Sequence, residues 1–335
     1  MTFSLKNKKV LFYSSVKDLS LFQSQTFYKN DILCLQRAGF HVSVTNNLFD
    51  FFHKDFDISF LYFYKFSLLA ALISKARLKK VFVTGGIDAL SGVEGKGSFI
   101  VQVILINLFL PFIDRCLIVS QSDLQNIKKI THKMSHRRFV ISPHSVELAA
   151  SSVNTGIVRN ENFVTICWMQ SVKNIERKGV IRAIKHFRKL KSNYKKYSDS
   201  KLFIIGSYDK NSLDYIDRSV SASSDESIYF EGLISNKRKY EFFSQNKYYY
   251  QLSSYEGFGL AALEALSMGM YVLHTGKGGL RDTMKNYGLI IKEDISDISG
   301  YENFVKSHKE IISKINTRFS HKNRIADFQK LMDNK

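Results

Sequence analysis

The chain has 335 residues, 44% hydrophobic and 24% charged, which suits two globular domains and excludes a disordered polymer. Its 49 Lys and Arg against 30 Asp and Glu give a formal net charge of +19. The excess is spread, 19 basic against 10 acidic residues in 1–150 and 30 against 20 beyond. No basic tail exists, and such a field attracts polyanions without choosing among nucleic acid, phosphorylated substrates and an anionic membrane surface.

Lys9–Ser15 predicts the first strand, and Met1–Lys9 leads straight into it without a secretory leader pattern. A helix through Asn30–Ala38 stops at Gly39. Strands are predicted at Phe40–Val44, Ile58–Tyr62, Val81–Thr84, Leu117–Ser120 and Phe139–Ser142, with helical segments between most of them. The apolar run Phe99–Ile113, interrupted by Gln102 and Asn107, falls short of the ~20 residues of a membrane span and reads as a buried core helix. Polar Ser145–Asn162 reads as a linker, dividing the chain into 1–146 and 147–335, with the last helix a candidate to cross back.

The second half repeats the rhythm. It holds strands at Phe163–Cys167, Lys201–Ile205, Ile228–Phe230, Tyr248–Leu252 and Tyr271–His274, and helices at Gly179–Tyr194, Lys237–Ser244 and the segment bearing Glu264. On the helix Gly179–Tyr194, Val180, Ala183, Ile184, Phe187 and Leu190 share one face. Arg182, Lys185, Arg188, Lys189, Lys191, Lys195 and Lys196 lie on or beyond the other, a solvated face or an anionic-lipid surface. Alternating strands and helices imply parallel sheets: two doubly wound α/β domains facing each other across a cleft at the carboxyl ends of their strands. The three cysteines, Cys34, Cys116 and Cys167, are odd in number and lack metal-ligand spacing, so they read as reduced thiols of a cytoplasmic protein.

Glu256 and Glu264 stand eight residues apart in Ser253-Ser254-Tyr255-Glu256-Gly257-Phe258-Gly259-Leu260-Ala261-Ala262-Leu263-Glu264. An aromatic strand, a Gly-Phe-Gly turn and a Leu/Ala helix in succession aim unpaired amides and the positive end of a helix dipole at whatever sits above the turn. Glu264 is the only charge between Gly257 and Met270, and a carboxylate in an apolar helix needs a partner. No P-loop pattern occurs, and no Gly-x-Gly-x-x-Gly follows the first strand, which argues against kinase, ATPase and dinucleotide readings. No His, Cys and carboxylate cluster has metal spacing, so no metal is expected.

An ordered series resembles the GT-B-fold glycosyltransferases of the retaining GT4 family. It comprises Arg177-Lys178-Gly179 before a helix, Lys201-Leu202-Phe203-Ile204-Ile205-Gly206, Tyr229-Phe230-Glu231-Gly232, the Glu256/Glu264 pair as the family's E-x7-E motif, and the turn Gly276-Lys277-Gly278-Gly279-Leu280. In the first half, Cys116–Ser122 and Ile141–Val146 resemble the ends of the family's N-terminal domain. The resemblance implies two Rossmann-like domains: residues 1–146 bind the acceptor, residues 147–335 the sugar nucleotide.

It also implies roles. Glu264 takes the ribose diol; Glu256 holds hydroxyls of the transferred sugar; Gly257 and the amides of Phe258, Gly259 and Leu260 receive the diphosphate; Lys178, with Arg177 beside it, neutralises that diphosphate as it leaves. Where the family places a second basic residue the chain reads Trp168-Met169-Gln170-Ser171, with Lys173 as the substitute nearby. Ser14-Ser15-Val16 replaces the glycines usual after the first strand. Where the family often has a histidine stands Thr84-Gly85-Gly86-Ile87-Asp88, whose Gly85 and Gly86 allow close approach and whose Asp88 binds a substrate hydroxyl or caps a helix. His144, in the interdomain loop, is a ligand contact or incidental.

The expectation is a cytoplasmic transferase moving a sugar, with retention, from a UDP- or GDP-sugar to a hydroxyl of a glycan or lipid-linked acceptor at the inner membrane face, as in bacterial surface polysaccharide assembly. No bound cofactor is implied, and an anionic membrane surface is a candidate partner. A catalytically silent sugar-nucleotide-binding subunit is the alternative. Nucleic acid, suggested by charge alone, is not expected as a partner.

Overall fold

The computed structural model describes residues 8–64, 67–85, 96–146, 158–284, 287–292 and 298–333. The chain divides into two compact units, Met1–Glu147 with Ile315–Lys335, and Leu148–Lys314. In the first unit the strands are β1 (Lys9–Tyr13), β2 (His41–Thr45), β3 (Ile58–Tyr62), β4 (Lys80–Thr84), β5 (Arg115–Ile118) and β6 (Phe139–Ile141). Its helices are α1 (Leu21–Ser24), α2 (Thr26–Arg37), α3 (Asp50–His53), α4 (Leu68–Ala76), α5 (Lys96–Phe109) and α6 (Gln121–Ile130). The six strands form one parallel sheet in the order β2-β1-β3-β4-β5-β6.

Both faces of this sheet are covered, so its central strands are apolar at successive positions instead of alternating. Leu11 and Tyr13 of β1 join Leu61, Val83 and Cys116 in one cluster, while Val10 and Phe12 join Phe60, Tyr62 and Leu117 in the other. Phe12 stacks on Phe60 with ring centroids 5.4 Å apart.

In the second unit α7 (Val172–Lys178), α8 (Val180–Asn193), α9 (Lys210–Val220), α10 (Asn236–Gln245), α11 (Leu260–Ser267) and α12 (Leu280–Thr283) flank a second parallel sheet. Its strands are β7 (Asn160–Ile166), β8 (Leu202–Ile205), β9 (Ile228–Gly232), β10 (Asn246–Gln251), β11 (Tyr271–His274) and β12 (Leu289–Ile290), in the order β12-β11-β10-β7-β8-β9. Val180, Ala183, Ile184, Phe187 and Leu190 form the buried face of α8. Of its basic face, Arg188 is spent inside the unit, donating to Asp225 at 2.8 Å and to the Val220 and Ser221 carbonyls.

Two helices complete the chain, α13 (Tyr301–Arg318) and α14 (His321–Asp333). Helix α14 belongs to the first unit and carries Arg324, fully buried, into its core. Arg324 donates to both carboxylate oxygens of Asp31 at 2.9 and 2.7 Å and to the Ser142 hydroxyl at 2.8 Å. Asp31 also accepts from the Tyr62 hydroxyl. Burial opposes the charge of Asp31, but the Arg324 guanidinium overcomes it and holds the carboxyl below the usual carboxylate range. His144 is buried here with its ring stacked on Tyr62 and Nδ1 3.9 Å from Asp31.

Three expectations need correction. Asn160–Asn162 is not linker but the start of β7, where Asn162 donates to the side-chain oxygen of Asn246 at 3.0 Å. Arg177 and Lys178 do not merely precede a helix; they end one, α7. The run Phe99–Ile113 is not wholly buried: Ile106, Phe109, Leu110 and Ile113 enter the core, whereas Ile100, Val101, Ile104 and Leu108 face solvent. Cys34, Cys116 and Cys167 are all free and buried. No helix among the described residues is long and apolar enough to cross a membrane.

Candidate active site

Strand β10 lies between β11 and β7, so Tyr248, Tyr249 and Tyr250 have neighbours on both faces and are fully buried. Phe163 of β7 stacks on Tyr248 and Tyr250 at 4.8 and 5.1 Å. The strand therefore delivers the segment after Gln251 from a fixed frame. That segment is fastened to the end of α7: the Ser254 amide donates to the Arg177 carbonyl at 2.7 Å. Gly179, just beyond, packs so closely that a Cβ there would stand 2.0 Å from the Leu252 carbonyl oxygen. Only glycine allows that contact, and it sets Lys178 beside the turn.

Lys178 Nζ donates to Glu256 Oε2 at 2.7 Å, with the two side chains 18% and 13% exposed. The same oxygen accepts from Gln251 Nε2 and Ser253 Oγ, each at 3.2 Å. No described residue donates to Oε1 of Glu256. Burial works to raise the Glu256 carboxyl; the Lys178 ammonium, aided by Arg177 and Ser253, outweighs it and brings the carboxyl below its ordinary value. Glu256 is thus held ionised, one oxygen fixed by three donors and the other available.

The turn Gly257-Phe258-Gly259 follows, and Gly259, at φ +91°, caps α11. First-turn amides of a helix have no partner inside it, and an anion is their natural complement. A second turn supports this one from beneath. The Gly279 amide donates to the Glu256 carbonyl at 2.6 Å, and the Thr283 hydroxyl donates to the Phe258 carbonyl at 2.8 Å. A Cβ on Gly279 would come 1.9 Å from the Gly257 carbonyl oxygen, so the two glycine-rich turns meet backbone to backbone.

Glu264 lies on the second turn of α11 at 12% exposed and pairs with Lys239 of α10 at 2.8 Å. The partner that the lone carboxylate required is therefore Lys239, which no motif marked. The signal was in the spacing: Lys239 precedes the buried Phe242 and Phe243 by three and four residues, which puts it on the inward face of α10.

The second unit thus brings together Arg177, Lys178, Glu256, Gly257, Phe258, Gly259, Leu260 and Glu264. Lys173 stands apart, exposed in the first turn of α7 at the far end from Lys178. Gly85 follows β4 in the first unit with φ +119°. Gly86 and Asp88 lie outside the described residues.

Residues 168–320 match the family model described as "Glycosyl transferases group 1". No curated protein matches the chain. Among solved structures, HepE of Anabaena in complex with UDP and glucose is similar at TM-score 0.71 and 12% identity, over 97% of this chain and 99% of that one. Trehalose-6-phosphate synthase OtsA is similar at TM-score 0.69 and 10% identity, over 98% and 99%. AviGT4, a glycosyltransferase involved in avilamycin A biosynthesis, is similar at TM-score 0.65 and 12% identity, over 97% and 96%. The two six-stranded parallel units are the Rossmann-like halves of a GT-B fold, and the group 1 match falls on the half that carries Glu256 and Glu264.

Proposed function

We propose that the protein is a glycosyltransferase that moves a sugar from a nucleotide-diphosphate sugar to an acceptor hydroxyl, retaining anomeric configuration. One observation carries the reading: Lys178 and Glu256 sit 2.7 Å apart at the mouth of a glycine turn that opens a helix. In a sugar nucleotide the anomeric carbon is bonded directly to the diphosphate. A cation for the phosphate and a carboxylate for the sugar must then be neighbours, and here they are.

In this reading Glu264, oriented by Lys239, accepts both hydroxyls of the ribose, and such charge-assisted bonds are strong when shielded from water. The amides of Phe258, Gly259 and Leu260 receive the diphosphate oxygens. Glu256 Oε1 accepts from hydroxyls of the sugar and so orients the anomeric carbon. The bond from that carbon to the diphosphate breaks, the electron pair leaving with phosphate; the acceptor oxygen bonds to the same carbon and passes its proton to an oxygen of the departing diphosphate. Lys178, with Arg177 behind it, stabilises the negative charge that grows on the departing diphosphate. UDP and GDP are the candidate nucleotides, and UDP is favoured by the UDP complexes of the HepE structures. The first unit would bind the acceptor, a glycan or lipid-linked glycan of the kind assembled into bacterial surface polysaccharide.

Incubating the protein with a panel of UDP- and GDP-sugars and following release of the nucleoside diphosphate tests this reading. Release from one or a few donors, increased by a glycan acceptor, is the expected result. Binding of a sugar nucleotide with no turnover under any acceptor would favour a catalytically silent subunit, in keeping with the absence of a basic residue in Trp168–Ser171.

A further inference from the structure

Among the described side chains of α5, those that face solvent are apolar. Ile100, Val101, Ile104 and Leu108 are 58%, 56%, 55% and 60% exposed, and at helical spacing they fall within an arc of roughly 100°. The opposite face, with Ile106 and Phe109, is sunk in the core of the first unit. A surface helix of a globular protein turns polar residues to water, whereas a helix apolar all round belongs in a core or against lipid. An exposed ridge of this kind marks a docking surface.

A basic rim adjoins the ridge. Asn107 of α5 donates to the Ile130 carbonyl and accepts from the His132 amide, and Arg138 donates to the Ile113 carbonyl. These bonds tie the segment 130–138 to the carboxyl end of α5. On it and just before it stand Lys128, Lys129, Lys133 and Arg137, all exposed, and no Asp or Glu occurs from 124 to 146. Of the two acids that precede the stretch, neither offsets these cations: Asp123 is fully buried and Asp114 is paired with Lys75 at 2.6 Å. Met134, almost wholly exposed among these cations, adds a second apolar point.

We propose that this face of the first unit docks on an anionic membrane surface, the α5 ridge entering the headgroup–acyl boundary and the basic rim meeting lipid phosphates. Apolar insertion beside a cluster of Lys and Arg is the combination that holds a protein on such a surface. Charge selects the occupant. A second copy related by two-fold symmetry would press the basic rim against itself, in a chain already at +19. A nucleic acid would satisfy the cations and leave the ridge in water. The basic face of α8 lacks such a ridge and spends Arg188 internally, so it is not the docking face. The attachment is peripheral and does not depend on the chemistry proposed for the second unit.

Flotation of the full-length protein with vesicles, at physiological salt, tests the proposal. Wild-type protein is expected to float with phosphatidylcholine vesicles containing phosphatidylglycerol and not with phosphatidylcholine alone. Ile104→Ser with Leu108→Ser, and separately Lys128→Gln with Lys129→Gln and Lys133→Gln, should each weaken binding roughly tenfold or more. The lysine set leaves the packing of α5 untouched, so it decides the matter if the serine pair is misfolded. Absence of flotation, equal flotation with neutral vesicles, or unchanged binding by the lysine variant overturns the proposal. So does a wild-type dimer that fails to float and that the serine pair converts to monomer.

Discussion

Lys178 closes on Glu256 at 2.7 Å, and the bond joins the end of one helix to the turn that begins another. The pairing keeps a largely buried carboxylate ionised, and in the proposed function it sets a cation where the diphosphate leaves. Replacing Lys178 by Met should therefore act on the chemical step more than on binding. Sugar-nucleotide turnover is expected to fall roughly a hundredfold to a thousandfold, the loss typical of one electrostatic group at a developing charge. Donor affinity should change less than turnover, and Lys178→Arg should restore part of it. Steady-state kinetics with the preferred donor checks this; an unchanged kcat removes Lys178 from the mechanism.

Gly279→Ala probes the support beneath the turn Gly257-Phe258-Gly259. Its methyl would lie 1.9 Å from the Gly257 carbonyl oxygen, so the two turns must separate. Overpacking of this kind costs about 1–3 kcal/mol. Thermal unfolding should shift down by several degrees, and nucleotide binding should be lost even well below that transition. Full binding by a stable Gly279→Ala protein would show that the turns need not touch.

Much of the fold was legible because its central strands are apolar on both faces. Ile58–Tyr62 and Tyr271–His274 occur where predicted, to the residue. Asn160–Asn162 escaped because its polarity resembles a linker; cross-strand bonds such as Asn162 to Asn246 satisfy those groups in a way no local pattern records. Helix α7, with seven residues, is too short for periodicity to declare itself. The carboxylate pair and its glycine turn could be read locally, since they are contiguous. Lys239, 25 residues before Glu264, could not be matched to it without the fold. Helix α5 hid its exposed face because its run from Phe99 is apolar on opposite sides, with only Gln102 and Asn107 to interrupt it, and so weak a polar pattern reveals no orientation.

Arg324 and Asp31 form a buried pair at 2.7 Å with almost no exposure on either side. Breaking such a pair leaves one charge uncompensated and costs about 3–5 kcal/mol. Arg324→Met is thus expected to destabilise the first unit by that amount in urea denaturation. Adding Asp31→Leu to it should recover a large part, because no buried charge then remains. A single variant as stable as wild type would mean that the pair does not fasten α14.

His144 and His274, one in each unit, are pushed down to about 4 by burial, the nearby Asp31 only partly offsetting this for His144. An unfolded histidine takes up its proton near pH ~6.5. Between those values the unfolded chain binds a proton that the folded one does not, so stability is complete above about pH 6.5 and declines as pH falls toward about 4. Each unit should lose about 2 kcal/mol between about pH 7 and pH 5. Urea denaturation across that range checks it, with His144→Gln and His274→Gln flattening the profile. Stability that holds or rises on acidification would contradict the assignment.

Isothermal titration of UDP and GDP into wild-type protein and Glu264→Ala examines the donor site directly. Wild-type protein should bind one of the two nucleotides, and Glu264→Ala should bind it roughly a hundredfold more weakly, from about 3 kcal/mol of lost charge-assisted bonding. Binding of neither nucleotide, or the same dissociation constant in both proteins, would contradict the assignment of the Glu256–Glu264 segment to a nucleotide-diphosphate sugar.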